Sequence, residues 1–228
     1  MRARRSALLT AFGLCMAVAL AARATQWEPP PTLDPLDGNP PLLIAPPSTR
    51  PAPLGTASLV FRPVPAVSRR VEREVLDNLA RRNRALWGPR LEGDLRLAYL
   101  RGQFDLLLRL HGRSPTNLGD VAGAYVVLCW QAYSGSVAPP EAMNAVARQW
   151  RVGLRRSAMA TWPDAQKQAL AEALAWRAMI AAGVTRTARE RGAPQLFALR
   201  EALRRDVLQA TGIDFARQPL SLHGFDPR

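Results

Sequence analysis

From Val121 to Ala138 the chain carries eighteen consecutive residues without a charge. Apolar side chains in this run cover nearly every face that a helix would present. A helix apolar all round has two homes, the centre of a protein core or a membrane. A membrane span needs about 20 such residues. Here Gly123, Gln131, Ser134, Gly135 and Ser136 dilute the run, leaving an apolar heart of about 13 residues, too short to span. The segment therefore predicts a central core helix from Leu118 to about Tyr133. Asn117 is placed to cap it, and Asp120 falls in its first turn, where a carboxylate complements the helix dipole.

The flanking sequence supplies partners for such a helix. A first helix is expected over Ser68 to Leu86, with Ser68 as cap, Glu72 and Glu74 early, Arg81, Arg82 and Arg84 late, and Val71, Val75 and Leu79 on one face. Gly88-Pro89 breaks the chain. A second helix, Leu91 to Leu110, carries Leu97, Leu100, Phe104, Leu107 and Leu108 and stops at Gly112. After the central helix, a fourth opens at Pro139-Pro140 and runs to about Ser157, with Met143, Val146, Trp150 and Leu154 inward. A fifth starts at Pro163 and runs to Ala182 before Gly183, with Leu170, Leu174 and Ala178 spaced by four. The last opens near Pro194 and ends at Gly212, with Leu196, Leu199, Leu203 and Val207 inward and Arg200, Arg204 and Arg205 pointing away. The predicted class is all-α: a single domain of about six helices, residues 67–228, around the central apolar helix. No internal repeat is evident.

What precedes the domain differs in kind. Residues 1–24 have the anatomy of a secretory signal peptide: Arg2, Arg4 and Arg5, an apolar stretch from Ala7 to Ala22, and an Ala22-Arg23-Ala24 cleavage signal after Ala24. The alternative is an uncleaved anchor, for which the apolar stretch is short. Residues 25–66 form a linker, and 12 of the 20 prolines lie between Glu28 and Pro65. Pro29-Pro30-Pro31, Pro40-Pro41 and Pro46-Pro47 exclude helix and central strand, so an extended, disordered spacer is expected. Within it, Leu42-Leu43-Ile44 and Leu59-Val60-Phe61 are apolar enough to dock on the domain or to act as an edge strand. The expected location is periplasmic or secreted, with no stable transmembrane span after cleavage.

Charge and chemistry then narrow the function. The chain holds 31 basic and 18 acidic residues, and its single lysine is Lys167. Loss of the four leader arginines leaves 27 bases against 18 acids, a net +9. Export and the dispersal of arginine along the chain point away from nucleic acid. The densest stripe, Arg148, Arg151, Arg155 and Arg156 on the fourth helix, is the candidate contact for an anionic envelope component or an envelope protein. Its plain alternative is a solvated face written in arginine, as the scarcity of Lys, Ile and Asn suggests. Cys15 leaves with the leader. Cys129, in an apolar run, is expected to be buried as a small hydrophobe. Two histidines and one thiol are too few for a zinc or iron–sulfur site, so no metal and no cofactor are expected. His111 ends the second helix, where the dipole favours a charged imidazole, and His223 lies in the tail with no specific role.

No G-x-S-x-G elbow, H-E-x-x-H pair, phosphate loop or dinucleotide fingerprint occurs, and Tyr133-Ser134-Gly135-Ser136 is only loosely elbow-like. Glu92, Asp120 and Glu172 are the weak candidates for a carboxylate acid or base. Glu92 stands with Asp94 near the start of the second helix. Asp120 is better explained by the helix dipole, and Glu172 as a surface or ion-pair residue. The leading reading is a non-enzymatic binding or interaction module. The alternative is a hydrolase of an envelope polymer using one of those carboxylates.

The stretch Asn117-Leu118-Gly119-Asp120-Val121-Ala122-Gly123-Ala124-Tyr125-Val126-Val127, with Trp130, resembles the signature of a bacterial exported α-helical domain family of unknown function. Glu172-Ala173-Leu174-Ala175-Trp176-Arg177-Ala178-Met179 is similar to its second block. The resemblance covers about Leu91 to Gly183 and implies an exported α-helical domain, with no activity, cofactor or site residue to carry over. Gly119 and Gly123 depart from the family's pattern.

Overall fold

A computed structural model describes residues 58–87, 95–191 and 193–226. The leader with its cleavage point at Ala24, the linker to residue 57 with Leu42-Leu43-Ile44, the Gly88-Pro89 break, and Glu92 and Asp94 lie outside the described residues. So do the side chains of Leu79, Arg81, Arg82, Arg84, Leu97 and Leu100. Six α-helices follow in chain order: α1 Pro65–Trp87, α2 Leu95–Leu110, α3 Leu118–Ser134, α4 Pro140–Arg155, α5 Asp164–Arg191 and α6 Ala193–Thr211. A 3-10 turn, Ala158–Thr161, joins α4 to α5. A short antiparallel hairpin, β1 Leu220–Ser221 and β2 Gly224–Phe225, follows α6. The class is all-α, with α3 at its centre.

The capping chemistry of α3 is local. Asn117 Oδ1 accepts from the backbone N–H of Gly119 at 2.9 Å and of Asp120 at 3.3 Å. Gly135 closes the other end at φ 81°, a left-handed conformation that costs glycine little, and donates its N–H to Gln131 O at 2.9 Å. Between these caps Leu118, Val121, Ala122, Tyr125, Val126 and Cys129 have no exposed surface. Each buried Leu or Val contributes roughly 1.5–3 kcal/mol before entropy is charged. Among the described residues no helix is long and apolar enough to cross a membrane.

Gly119 and Gly123 are what let α4 approach. A Cβ on Gly123 would stand 2.9 Å from Ala147 Cα, and one on Gly119 would stand 2.9 Å from Arg151 Cγ. Spaced by four, the glycines make a groove in which α4 lies with backbone nearly touching backbone. The departures noted in the sequence are therefore the packing surface itself.

Three expectations need correction. Helix α5 does not stop at Gly183 but runs 28 residues to Arg191. A helical glycine costs about 1 kcal/mol against alanine, and the buried contacts on either side outweigh that. This length makes α5 a second spine, touching α1, α2, α3 and α6. Helix α1 begins at Pro65, three residues before Ser68, because Val64 O takes the first helical bonds from Val67 and Ser68 N–H. Ser68 therefore caps nothing. Arg200 does not simply point away, since its Nη2 donates to Ser134 O at the end of α3. Beyond α6 the tail is folded. Gln149 on α4 donates to Phe225 O at 2.7 Å and accepts from Phe225 N at 3.1 Å, so its amide completes the edge of β2. The Phe225 ring then stacks on Phe215, which packs on Tyr133 of α3.

The Leu59-Val60-Phe61 segment docks and also forms an edge bridge. Leu59 and Phe61 are buried in the main core, while Val60 between them is exposed. Val60 bridges antiparallel to Asn117, through Phe61 N to Thr116 O at 3.0 Å and Leu118 N to Leu59 O at 2.9 Å. Arg62 N then reaches Asp164 Oδ2 at 3.0 Å and Val64 N reaches Gln168 Oε1 at 2.8 Å. Residues 58–64 thus strap the start of α3 to the start of α5.

Candidate functional site

The arginine stripe of α4 divides in two. Arg151 leaves it: its Nε donates to Asp120 Oδ1 at 2.6 Å and its Nη2 to Asp120 Oδ2 at 2.8 Å. Asp120 is 1% exposed and also accepts from the Ser114 backbone N–H at 2.9 Å. Two donors from a fork and one from a turn make this a bidentate, charge-assisted bond that fixes α4 to α3. The hydrogen bond to Asp120 raises the Arg151 guanidinium above its ordinary value. Arg148, Arg155 and Arg156 remain exposed, and Val152, itself half exposed, lies between them.

A fourth cation joins from the turn before α3. Arg113 Nη2 donates to Asn144 Oδ1, one helical turn before Arg148. Burial lowers the Arg113 guanidinium, and the charges of Arg151 and Arg148 push the same way, with Asp120 opposing. Arg113, Arg148 and Arg151 are thus close enough to repel, around the single carboxylate of Asp120. Sequence spacing on α4 could not show Arg113, which arrives from another element. The one hint was Asp120 in the first turn of a helix otherwise free of charge, a carboxylate that needs a counter-ion once buried.

His111 lies at this end of α2. Burial, then the charge of Arg113, lowers its imidazole below 6.5. The expectation of a charged histidine held by the helix dipole is reversed, because desolvation and a neighbouring cation outweigh the end of one helix. His223 is exposed in the turn of the hairpin.

The candidate carboxylates serve packing. Glu172 is 6% exposed, not a surface residue. It accepts from Ser68 Oγ at 2.7 Å and from Gln168 Nε2 at 2.8 Å, bolting α1 to α5. Gln168 also donates to Val64 O at 3.0 Å. Asp120 and Glu172 belong to networks that share no residue, and neither stands as an accessible acid or base. Glu92 lies outside the described residues. Cys129 is buried and free, with its thiol pushed well up by burial and with Tyr125 beside it. Among the described residues no three His, Cys, Asp or Glu gather to hold a metal ion.

Fold and face define an all-α domain, strapped at its N-terminal side, closed by a C-terminal hairpin, and presenting arginine on one helix. The chain belongs to the family of unknown function DUF6683, matched over residues 44–226. That span includes the strap, the last helix and the hairpin, beyond the reach of the helix signature read from the sequence. No match was found among curated proteins or among solved structures.

Proposed function

We propose that this chain is an exported module of the bacterial cell envelope that binds a phosphate-bearing anionic surface through the arginine face of α4 and does no chemistry itself. One observation carries the reading. The two described candidate carboxylates are consumed in helix-to-helix bonds, while Arg148, Arg155 and Arg156 stay exposed around Val152 and Arg113 adds charge beside them. A cationic helix face with an apolar residue at its centre suits an anionic interface. The leader delivers the domain, and the proline-rich stretch gives it reach.

The test is sedimentation of the full chain with vesicles of neutral lipid and with vesicles containing anionic phospholipid. Binding is expected only to the anionic vesicles, and to fall steeply with salt. At about 1 kcal/mol per arginine, the R148Q/R155Q/R156Q variant binds on the order of 100-fold more weakly at low salt. Equal binding to both vesicles, or by the variant, refutes the reading. N-terminal mass spectrometry of the exported protein checks cleavage after Ala24.

A further inference from the structure

A second basic site lies elsewhere on the molecule, where the end of α3 meets α5 and α6. Gly135 ends α3 with φ 81° and no side chain. Arg189 of α5 brings its Nη2 to 3.0 Å from the place a Cβ on Gly135 would occupy. Arg200 of α6 brings its own Nη2 to 3.2 Å from the same place. Two full positive charges from different helices therefore converge on one point. No carboxylate is paired with either of them among the described residues.

Unused donors accompany the convergence. The Nε of Arg200 is buried and makes no hydrogen bond. The Thr185 hydroxyl is also buried without a partner, and Thr185 is 1% exposed. Thr185 stands one helical turn before Arg189, on the same face of α5. A buried donor with no acceptor costs about 1–3 kcal/mol; one here belongs to Arg200 itself and the other lies one turn from Arg189 on α5, so an acceptor that reached both would relieve them. The carbonyls at the end of α3 account for only part of this. Arg200 Nη2 reaches Ser134 O at 3.4 Å, a long contact, and that leaves Arg200 Nε, Thr185 Oγ1 and the Arg189 charge unanswered.

We infer that the junction of Arg189, Arg200 and Thr185 over Gly135 is a binding site for an oxyanion, a phosphate or carboxylate group of a small ligand. Guanidinium forks match the planar oxygen pairs of either group, and a hydroxyl donor satisfies a further oxygen. Glycine at position 135 lets both guanidinium groups come this close to the end of α3. This site is separate from the face of α4, so either can fail without the other.

The experiment is titration calorimetry of the full chain with inorganic phosphate and with acetate, at low salt in a non-coordinating buffer. Saturable binding of at least one probe is expected, and the probe that binds names the group. Arg189 is exposed, so Arg189→Gln tests the site without loss of fold, and binding should weaken about tenfold or more for a lost charge-assisted pair. Arg200→Gln should do the same, with circular dichroism confirming that the helices remain. The R148Q/R155Q/R156Q variant, aimed at the other face, should keep the part of the binding that Arg189→Gln removes. Absence of saturable binding by both probes, or unchanged binding in Arg189→Gln, overturns the site.

Discussion

Arg151 grips Asp120 with both arms of its guanidinium while its Cγ lies 2.9 Å from where a Cβ on Gly119, the residue just before Asp120, would stand. The ion pair and the close helix contact are one device, because a side chain at position 119 would lift Arg151 off its partner. Asp120 is buried, and about a third of the Arg151 side chain is exposed. Removal of the arginine strands a buried charge, which costs about 3–5 kcal/mol. Arg151→Ala should therefore lower the urea-unfolding free energy by about 3 kcal/mol, and Asp120→Asn by less, since the freed guanidinium can reach water. Equal stability of parent and Arg151→Ala would show the pair to be incidental.

Two glycine-to-alanine changes should act with opposite signs. At Gly123 a methyl group would lie 2.9 Å from the Ala147 backbone, so α3 and α4 must separate. Overpacking of this kind costs about 1–3 kcal/mol and outweighs the gain in helix propensity. Gly102, exposed in the middle of α2, has nothing within 4 Å of its added Cβ. There alanine should stabilise by about 0.5–1 kcal/mol. Thermal denaturation of the two variants side by side checks both signs, and a neutral Gly123→Ala would count against the groove.

The helices were legible because their signals are local. Asn117 caps α3 as its side chain predicts, and Val146, Leu154, Leu199, Leu203 and Val207 face inward as their spacing predicts. The site was legible only in half. The α4 arginines share one helix and show as a stripe, but the acid that takes Arg151 and the turn that brings Arg113 are distant in sequence. Glu172 looked like a surface residue because nothing near it in sequence announces Ser68, about a hundred residues earlier, as its donor. Gly183 was misleading for a related reason: propensity marks a stop, while packing on four other helices carries α5 through it.

His111 should set part of the acid limb of stability. Its imidazole is held below 6.5 in the folded chain and returns to about 6.5 on unfolding. In the window just below 6.5 the unfolded chain binds more protons, so stability rises with pH there and levels off above it. His111→Gln should flatten that rise. Urea midpoints at about pH 5.5 and about pH 7.5 for parent and variant give the comparison, and identical slopes would mean that the imidazole titrates alike in both states.

Cys129 should be silent until the domain opens. Its thiol is buried and pushed well above the usual range by burial. Only the thiolate is nucleophilic, so a disulfide reagent should leave the native thiol intact and label it completely in denaturant. Rapid labelling of the folded chain at neutral pH would place Cys129 in a more open setting than the packing of α3 allows.

The strap invites a test by alternation. Leu59 and Phe61 are buried, and Val60 between them faces outward. A spacer would tolerate change at all three positions, whereas a docked edge segment distinguishes odd from even. Truncation of a buried Phe to Ala costs about 3–5 kcal/mol where the site cannot collapse. The backbone bond from Phe61 to Thr116 does not depend on the ring, so a loss near the lower end, about 3 kcal/mol, is expected for Phe61→Ala. Val60→Ala should stay within about 0.5 kcal/mol, as exposed substitutions do. Chemical denaturation of the two variants separates the cases. Equal, small effects would assign residues 58–64 to the tether, and a large effect at Phe61 alone makes them part of the folded domain.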